Sequence, residues 1–239
     1  MLQYIEFGVP EFTNIATFYE ILDKFIKSCY IYEKGYEMRQ SVEIAVKNKI
    51  VDRGRGWCFT AMDFDELGSG DSIRHALSVL HQQKVIRRLA QGIYDYPKEH
   101  KDLGIIPPDL NEVAKAIAEK NGVRIQPSGA HAANLAGLSE QVPGKIIFLT
   151  DGPSRKLKIG KQEIIFKKTT SKVMASAGTR EGLIIQALKN LGKDQIDHVI
   201  RARARRFLEP SNKDELRKNL KFAPAWIKKL VLEVMEIKP

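Results

Sequence analysis

Residues 56–97, GWCFTAMDFDELGSGDSIRHALSVLHQQKVIRRLAQGIYDYP, constrain the fold more than any other stretch, because caps, apolar spacing and turn residues all point the same way. Thr60 is a good N-cap with Asp63 three residues on, Phe64 and Leu67 share a face, and Gly68 offers a left-handed stop. Ser69 caps a second helix on which Ile73, Ala76, Leu77 and Leu80 recur at three and four residues. That stripe must face a core. Asp71, Arg74, His75 and Ser78 are left on the opposite side. Residues 84–89 are β-prone, Gln91-Gly92 can turn the chain, and 93–96 return as a second strand before Pro97.

Helix, turn, helix and hairpin is the order of a winged helix-turn-helix. In such a unit the outward face of the second helix meets base edges while the hairpin holds phosphates. On this reading Arg74 is the best-placed base reader, with His75 and Ser78 beside it. Lys84, Arg87, Arg88 and Gln91 fall on the wing.

The charge balance agrees with a polyanionic partner. The chain has 239 residues, a formal net charge of +10 and 43% hydrophobic residues, enough for two modest cores. Residues 1–38 carry three lysines against six acids, a balance of −3 that leaves +13 on the remainder. Phe12, Ile15, Tyr19, Leu22, Phe25, Ile26 and Cys29 recur there at helical spacing, which predicts one amphipathic helix beginning after Pro10 and offers a homodimer contact. No apolar run approaches a bilayer span, and Cys29 and Cys58 have neither zinc nor disulfide spacing. Both thiols are expected to be buried, and the protein cytoplasmic without membrane contact.

Four segments follow: an extension over 1–38, a winged domain over 39–97 opening with a helix at 41–51, a linker over 98–108 that holds Gly104 and Pro107-Pro108, and a C-terminal domain over 109–239. In the last, Asp109 with Glu112 starts a helix stopped at Asn121-Gly122. Ser128 opens a helix of small residues. Three strands over 145–150, 155–159 and 163–166 predict an antiparallel meander. Later helices carry Leu183, Ile184 and Leu188, then Ile196, Val199 and Ile200, then Trp226, Ile227 and Val231. The expected class is therefore α+β: a winged helix-turn-helix domain plus a mixed α/β domain with a small antiparallel sheet and terminal helices. Lys156, Lys158, Arg201, Arg203, Arg205 and Arg206 form a further basic surface.

Catalytic patterns are missing from the sequence: it has no GxxxxGK[ST], HExxH, CxxC or GxSxG. Ser128 and His131 lie close in PSGAH, but Ser128 reads better as an N-cap. No catalytic residue, metal ligand or cofactor is expected. A rival, a nucleic-acid-processing enzyme carrying a DNA-binding module, would need Glu140, Asp151 and Glu163 to converge. Another rival, a structural RNA-binding protein, would prefer folded RNA to duplex DNA.

The wing ALSVLHQQKVIRRLAQGIYDYP and the following stretch through PSGAHAANLAGLSEQVPGKIIFLTDGPSRKLKIGKQEIIFKK resemble the antitoxin of the AbiE abortive-infection system, over about residues 41–206. The resemblance implies a regulator of a type IV toxin-antitoxin pair. Its winged helix would bind inverted repeats of double-stranded DNA in its own promoter, with Arg74, His75, Ser78, Arg87 and Arg88 on the recognition helix and wing. Its C-terminal domain would counteract a cognate toxin resembling a nucleotidyltransferase, directly or functionally. The acidic extension is extra to that pattern.

Overall fold

The structure is a computed structural model and describes residues 15–237, with the side chains of the first helix described at 23–30, 34 and from 41 onward. The architecture is mixed α+β. Helix α1 runs unbroken over Ile15–Arg53, where the sequence spacing predicts two helices. Between residues 30 and 41 Gly35 is the weakest helix former, costing about 1 kcal/mol, and no proline intervenes, so nothing stops the helix. The expected start after Pro10, with Phe12, lies outside the described residues, as do the side chains of Ile15, Tyr19 and Leu22. Phe25, Ile26 and Cys29 are exposed, against the expectation that both cysteines are buried.

From Val42 onward α1 enters a core. Val42, Val46 and Ile50 pack with Phe59 of β1 (Cys58–Phe59), Phe64 of a 3-10 helix over Ala61–Leu67, and Ile73, Ala76, Leu77 and Leu80 of α2 (Gly70–Gln82). Every residue of the predicted α2 stripe is buried. Each of its isoleucine and leucine side chains contributes on the order of 1.5–3 kcal/mol. Thr60 and Asp63 close a reciprocal cap, Thr60 N–H donating to Asp63 Oδ2 at 2.8 Å and Met62 N–H to Thr60 Oγ1 at 3.2 Å. Gly68 is extended, with φ of 165°, rather than left-handed. A β-carbon there would lie 3.1 Å from Val42 Cγ2, so the glycine lets the turn approach α1.

Strands β2 (Arg87–Ala90) and β3 (Ile93–Asp95) form the predicted hairpin, and β1 joins it in the order β1-β3-β2. The sequence reading missed β1, since two residues carry no periodicity. Phe59 and Tyr94 face the first core, while Cys58 and Ile93 turn the other way. They enter a second core with Leu110, Val113 and Ile117 of α3 (Leu110–Lys120) and with Phe148, Ile164 and Phe166. The predicted linker is therefore not a spacer. It folds as a small pair, β4 (Glu99–His100) with β5 (Gly104–Ile105), alongside a core that both sides of it share.

The larger sheet departs from a meander. It contains β6 (Ile125–Ser128), β7 (Ile146–Thr150), β8 (Arg155–Ile159) and β9 (Gln162–Lys168) in the order β6-β7-β9-β8, with β7 and β9 parallel. Ile164, Ile165 and Phe166 are buried in succession, which suits a central strand. The alternating RKLKI of β8, with exposed Lys156 and Lys158, suits an edge. The third core is helical. It joins α4 (Gly129–Leu135), α6 (Arg180–Leu191), α7 (His198–Leu208), α8 (Lys213–Leu220) and α9 (Ala225–Val234), with short α5 (Ser171–Met174) after the sheet. Ala132 and Ala133 are fully buried, so α4 packs tightly on α6. Among the described residues no helix is long and apolar enough to cross a membrane.

Candidate nucleic-acid interface

Burying one stripe of α2 leaves its other face to solvent. Arg74, His75 and Ser78 are all exposed, and the Arg74 side chain keeps 66% of its accessible surface. Arg74 donates to Asp71 Oδ1 at 2.5 Å, one turn back, in an exposed ion pair along the helix. The helix begins at the Ser69 cap, which accepts the Ser72 N–H at 3.3 Å. It ends at Lys84, a non-glycine residue with φ of +60°. The Val85 N–H donates to Leu80 O at 3.0 Å and the Lys84 N–H to His81 O at 3.0 Å, a Schellman stop. Lys84 is thus exposed at the end of α2 and not on the hairpin, contrary to the sequence reading.

Successive residues of β2 face opposite ways, and the two arginines differ accordingly. Arg87 is engaged within the fold. Its Nε and Nη2 donate to Asp95 Oδ1 and Oδ2 at 3.0 and 2.6 Å, and Nη2 also reaches Ile106 O at 3.3 Å. Asp95 is 1% exposed, and its hydrogen bond raises the Arg87 pKa above the ordinary guanidinium value. A phosphate contact would have to break that fork, so Arg87 is not a free cation of the hairpin. Arg88, opposite Tyr94, lies on the face of the hairpin nearer α2 and is exposed with no ion pair among the described residues. Gln91 is exposed at the tip, next to Gly92 with φ of +67°, and its carbonyl accepts Lys120 Nζ at 2.8 Å, which ties the tip to α3. Arg55, over the Tyr96 ring at 4.8 Å and 3.1 Å from Glu99, is likewise engaged.

The remaining basic cluster lies at the surface, and half of it is paired. Arg201 reaches Glu233 at 3.5 Å, Arg203 reaches Glu140 at 2.7 Å and Arg205 reaches Glu236 at 2.6 Å. Three of the four arginines of α7 thereby tie that helix to α9, to the end of the chain and to the loop after α4. Arg206, Lys156 and Lys158 are exposed without an ion pair among the described residues.

The groups that the rival enzymatic reading would need are placed as follows. His131 is 4% exposed and its Nε2–H donates to Asn111 Oδ1 at 2.7 Å, with the Phe148 ring edge-on at 5.4 Å. Burial pushes its pKa down, and Asp109 partly offsets this. Ser128 makes no side-chain cap. Glu140 and Asp151 are each taken by an arginine, Arg203 and Arg124. No three His, Cys, Asp or Glu side chains come together as metal ligands among the described residues. Cys58 is a buried thiol whose pKa is pushed up to about 12, first by burial and then by Asp95.

A family model described as a family of unknown function (DUF6088) matches residues 45–216. Among curated proteins nothing matches the chain. Among solved structures it is similar to the crystal structure of the RV2827C protein from Mycobacterium tuberculosis, at 12% identity and a TM-score of 0.41, over 84% of this chain and 76% of that one.

Proposed function

The chain belongs to DUF6088, a family of unknown function, and from that premise we propose that it is a double-stranded-DNA-binding regulator. Its reader is α2, set in a winged helix-turn-helix built from the second half of α1, β1, the 3-10 helix, α2, β2 and β3. The observation that carries this reading is the division of α2 into a wholly buried stripe and an open polar face bearing Arg74, His75 and Ser78. Arg88 on the adjacent edge strand supplies a phosphate contact, and Lys84 a second one at the helix end. Arg87 has the supporting role of holding β2 to β3.

The resemblance of residues 41–206 to the AbiE antitoxin extends the proposal. The DNA is the promoter of the protein's own operon, read as inverted repeats. Residues 109–239 antagonise a nucleotidyltransferase-like toxin, and the setting is cytoplasmic. Exposed Phe25, Ile26 and Cys29, close together on α1, support a homodimer in keeping with inverted repeats. A toxin of that class in the neighbouring reading frame is the expected genomic setting, and its absence would count against this extension.

Titration of duplex promoter DNA against unrelated duplex tests the first step. Arg74→Ala is expected to lose about 1–3 kcal/mol on the operator and to relax base preference, whereas Arg88→Ala weakens both duplexes alike and lowers the salt slope by about one. Equal losses on both duplexes for both variants would remove α2 as the reader.

A further inference from the structure

Helix α9 turns a mixed face toward the start of α7. Trp226, Lys229, Leu230 and Glu233 recur there at three and four residues, and with Arg201 of α7 and with Lys193 and Ile196 of the turn before it they enclose a cleft of about 380 Å³. That is within the range of small-molecule sites. Ile196, Trp226 and Leu230 belong to the helical core or pack against it, and they give the cleft an apolar wall. Trp226 is half-buried, so part of its indole stays open on that side.

Charge gathers around this wall. Arg201 Nη1 stands 3.5 Å from Glu233 Oε2, and Lys229 Nζ stands 3.9 Å from Glu233 Oε1, both long for ion pairs. One carboxylate is thus shared loosely by two cations. Lys193 is exposed with no ion pair among the described residues. Asp194 and Asp197 of the same turn are outside the lining, and Asp197 caps α7 by accepting the Ile200 N–H at 2.8 Å. Three cations against one carboxylate leave two positive charges beside an aromatic surface.

This arrangement selects on two counts. Two uncompensated cations suit the near-dianion that a phosphate monoester is at neutral pH, whereas a carboxylate brings one charge. An indole next to them offers a face on which a flat ring stacks. Bare phosphate would meet the cations and leave the apolar wall wet, and a neutral base would do the reverse.

We propose that this cleft binds a nucleoside 5′-monophosphate, with its phosphate held by Lys193, Arg201 and Lys229 and its base laid against Trp226. Glu233 keeps Arg201 and Lys229 at the cleft and limits the site to one phosphate. The 5′-phosphorylated end of a nucleic-acid strand presents the same chemistry. Along an intact duplex the bases are stacked on one another, and none can reach Trp226. The assignment does not depend on α2 as a DNA reader.

Calorimetric titration of the full chain with adenosine 5′-monophosphate tests it; stacking tolerates any base, so one nucleotide suffices as probe. Saturable binding at one site is expected. Adenosine and inorganic phosphate each forfeit half of the contacts and are expected to bind about tenfold or more weakly. Lys193→Gln removes a cation that pairs with nothing in the fold and is expected to cost about fivefold or more. Trp226→Leu keeps an apolar side chain against the core, and is expected to cost about fivefold or more while the thermal melt stays cooperative. Lys156→Gln, on β8 and outside the cleft, is expected to leave binding unchanged. Competition by a 5′-phosphorylated single strand and not by its 5′-hydroxyl counterpart would assign the phosphate to a strand end, and competition by neither would assign it to the free nucleotide. No saturation, equal affinity for the nucleotide and inorganic phosphate, equal losses from Lys193→Gln and Lys156→Gln, or equal competition by both strands would each overturn the assignment.

Discussion

Because side chains along a strand leave on alternate faces, Arg87 and Arg88 part company although the sequence presents them as one basic pair. The register places Arg87 across from Asp95, and a carboxylate that is 1% exposed cannot be left alone. Arg87→Ala is expected to destabilise the protein by about 3–5 kcal/mol in denaturant titration, through stranding of Asp95 rather than loss of packing. A loss below about 1 kcal/mol would mean that water already reaches that carboxylate. His131 gives a pH-dependent counterpart. Its folded pKa lies below the ordinary 6.5 because burial disfavours the charged form. The unfolded chain then takes up the proton more readily, so this contribution to stability is complete above about pH 6.5 and is lost as pH falls through that value toward the folded pKa. Melting temperatures from pH 7.5 to 5 are expected to fall more steeply for the wild type than for His131→Gln, and parallel slopes would contradict this. Neither role was legible in the sequence, since Asp95 and Asn111 become partners only once the strands and α3 are placed.

Elements whose signals are local follow the sequence closely. Thr60, Ser69 and Asp109 cap helices where their spacing says they should, and the α2 stripe is buried in full. Pairings set by distant contacts do not. The turn at Asp151-Gly152 suggests a hairpin, yet the run of buried residues in β9 takes the central place beside β7 and sends lysine-bearing β8 to the edge. Of the crowded arginines on α7, Arg201, Arg203 and Arg205 find acidic partners, Glu233, Glu140 and Glu236, that lie far away in the chain and that no local pattern shows. Helix α6 supplies a sharper test of packing. A β-carbon on Gly182 would stand 1.9 Å from the carbonyl oxygen of Ser176, a backbone atom that cannot swing aside. Gly182→Ala is expected to cost about 1–3 kcal/mol or more despite alanine's better helix propensity. A gain in stability by thermal melt would show that the segment before α6 yields freely.

On the scale of the whole molecule, the three-stranded sheet β1-β3-β2 is covered on both sides, by the α2 core on one face and by α3 and the larger sheet on the other. Composition and the Pro107-Pro108 signal suggest a boundary near residues 98–108, but they say nothing of Cys58 and Ile93 crossing it to meet Leu110 and Phe148. The full chain is therefore expected to unfold in one calorimetric transition, with the van't Hoff and calorimetric enthalpies in agreement. Two separated transitions would show that the shared apolar layer contributes little. The long first helix carries a different implication. At 1.5 Å per residue, the roughly 26 residues from Ile15 to the point where the core begins reach about 39 Å, so a tilt of about 10° at the root sweeps the far end through roughly 7 Å. By lever geometry alone, a rigid helix of that length would turn small adjustments among Val42, Val46 and Ile50 into displacements of several ångströms at its far end.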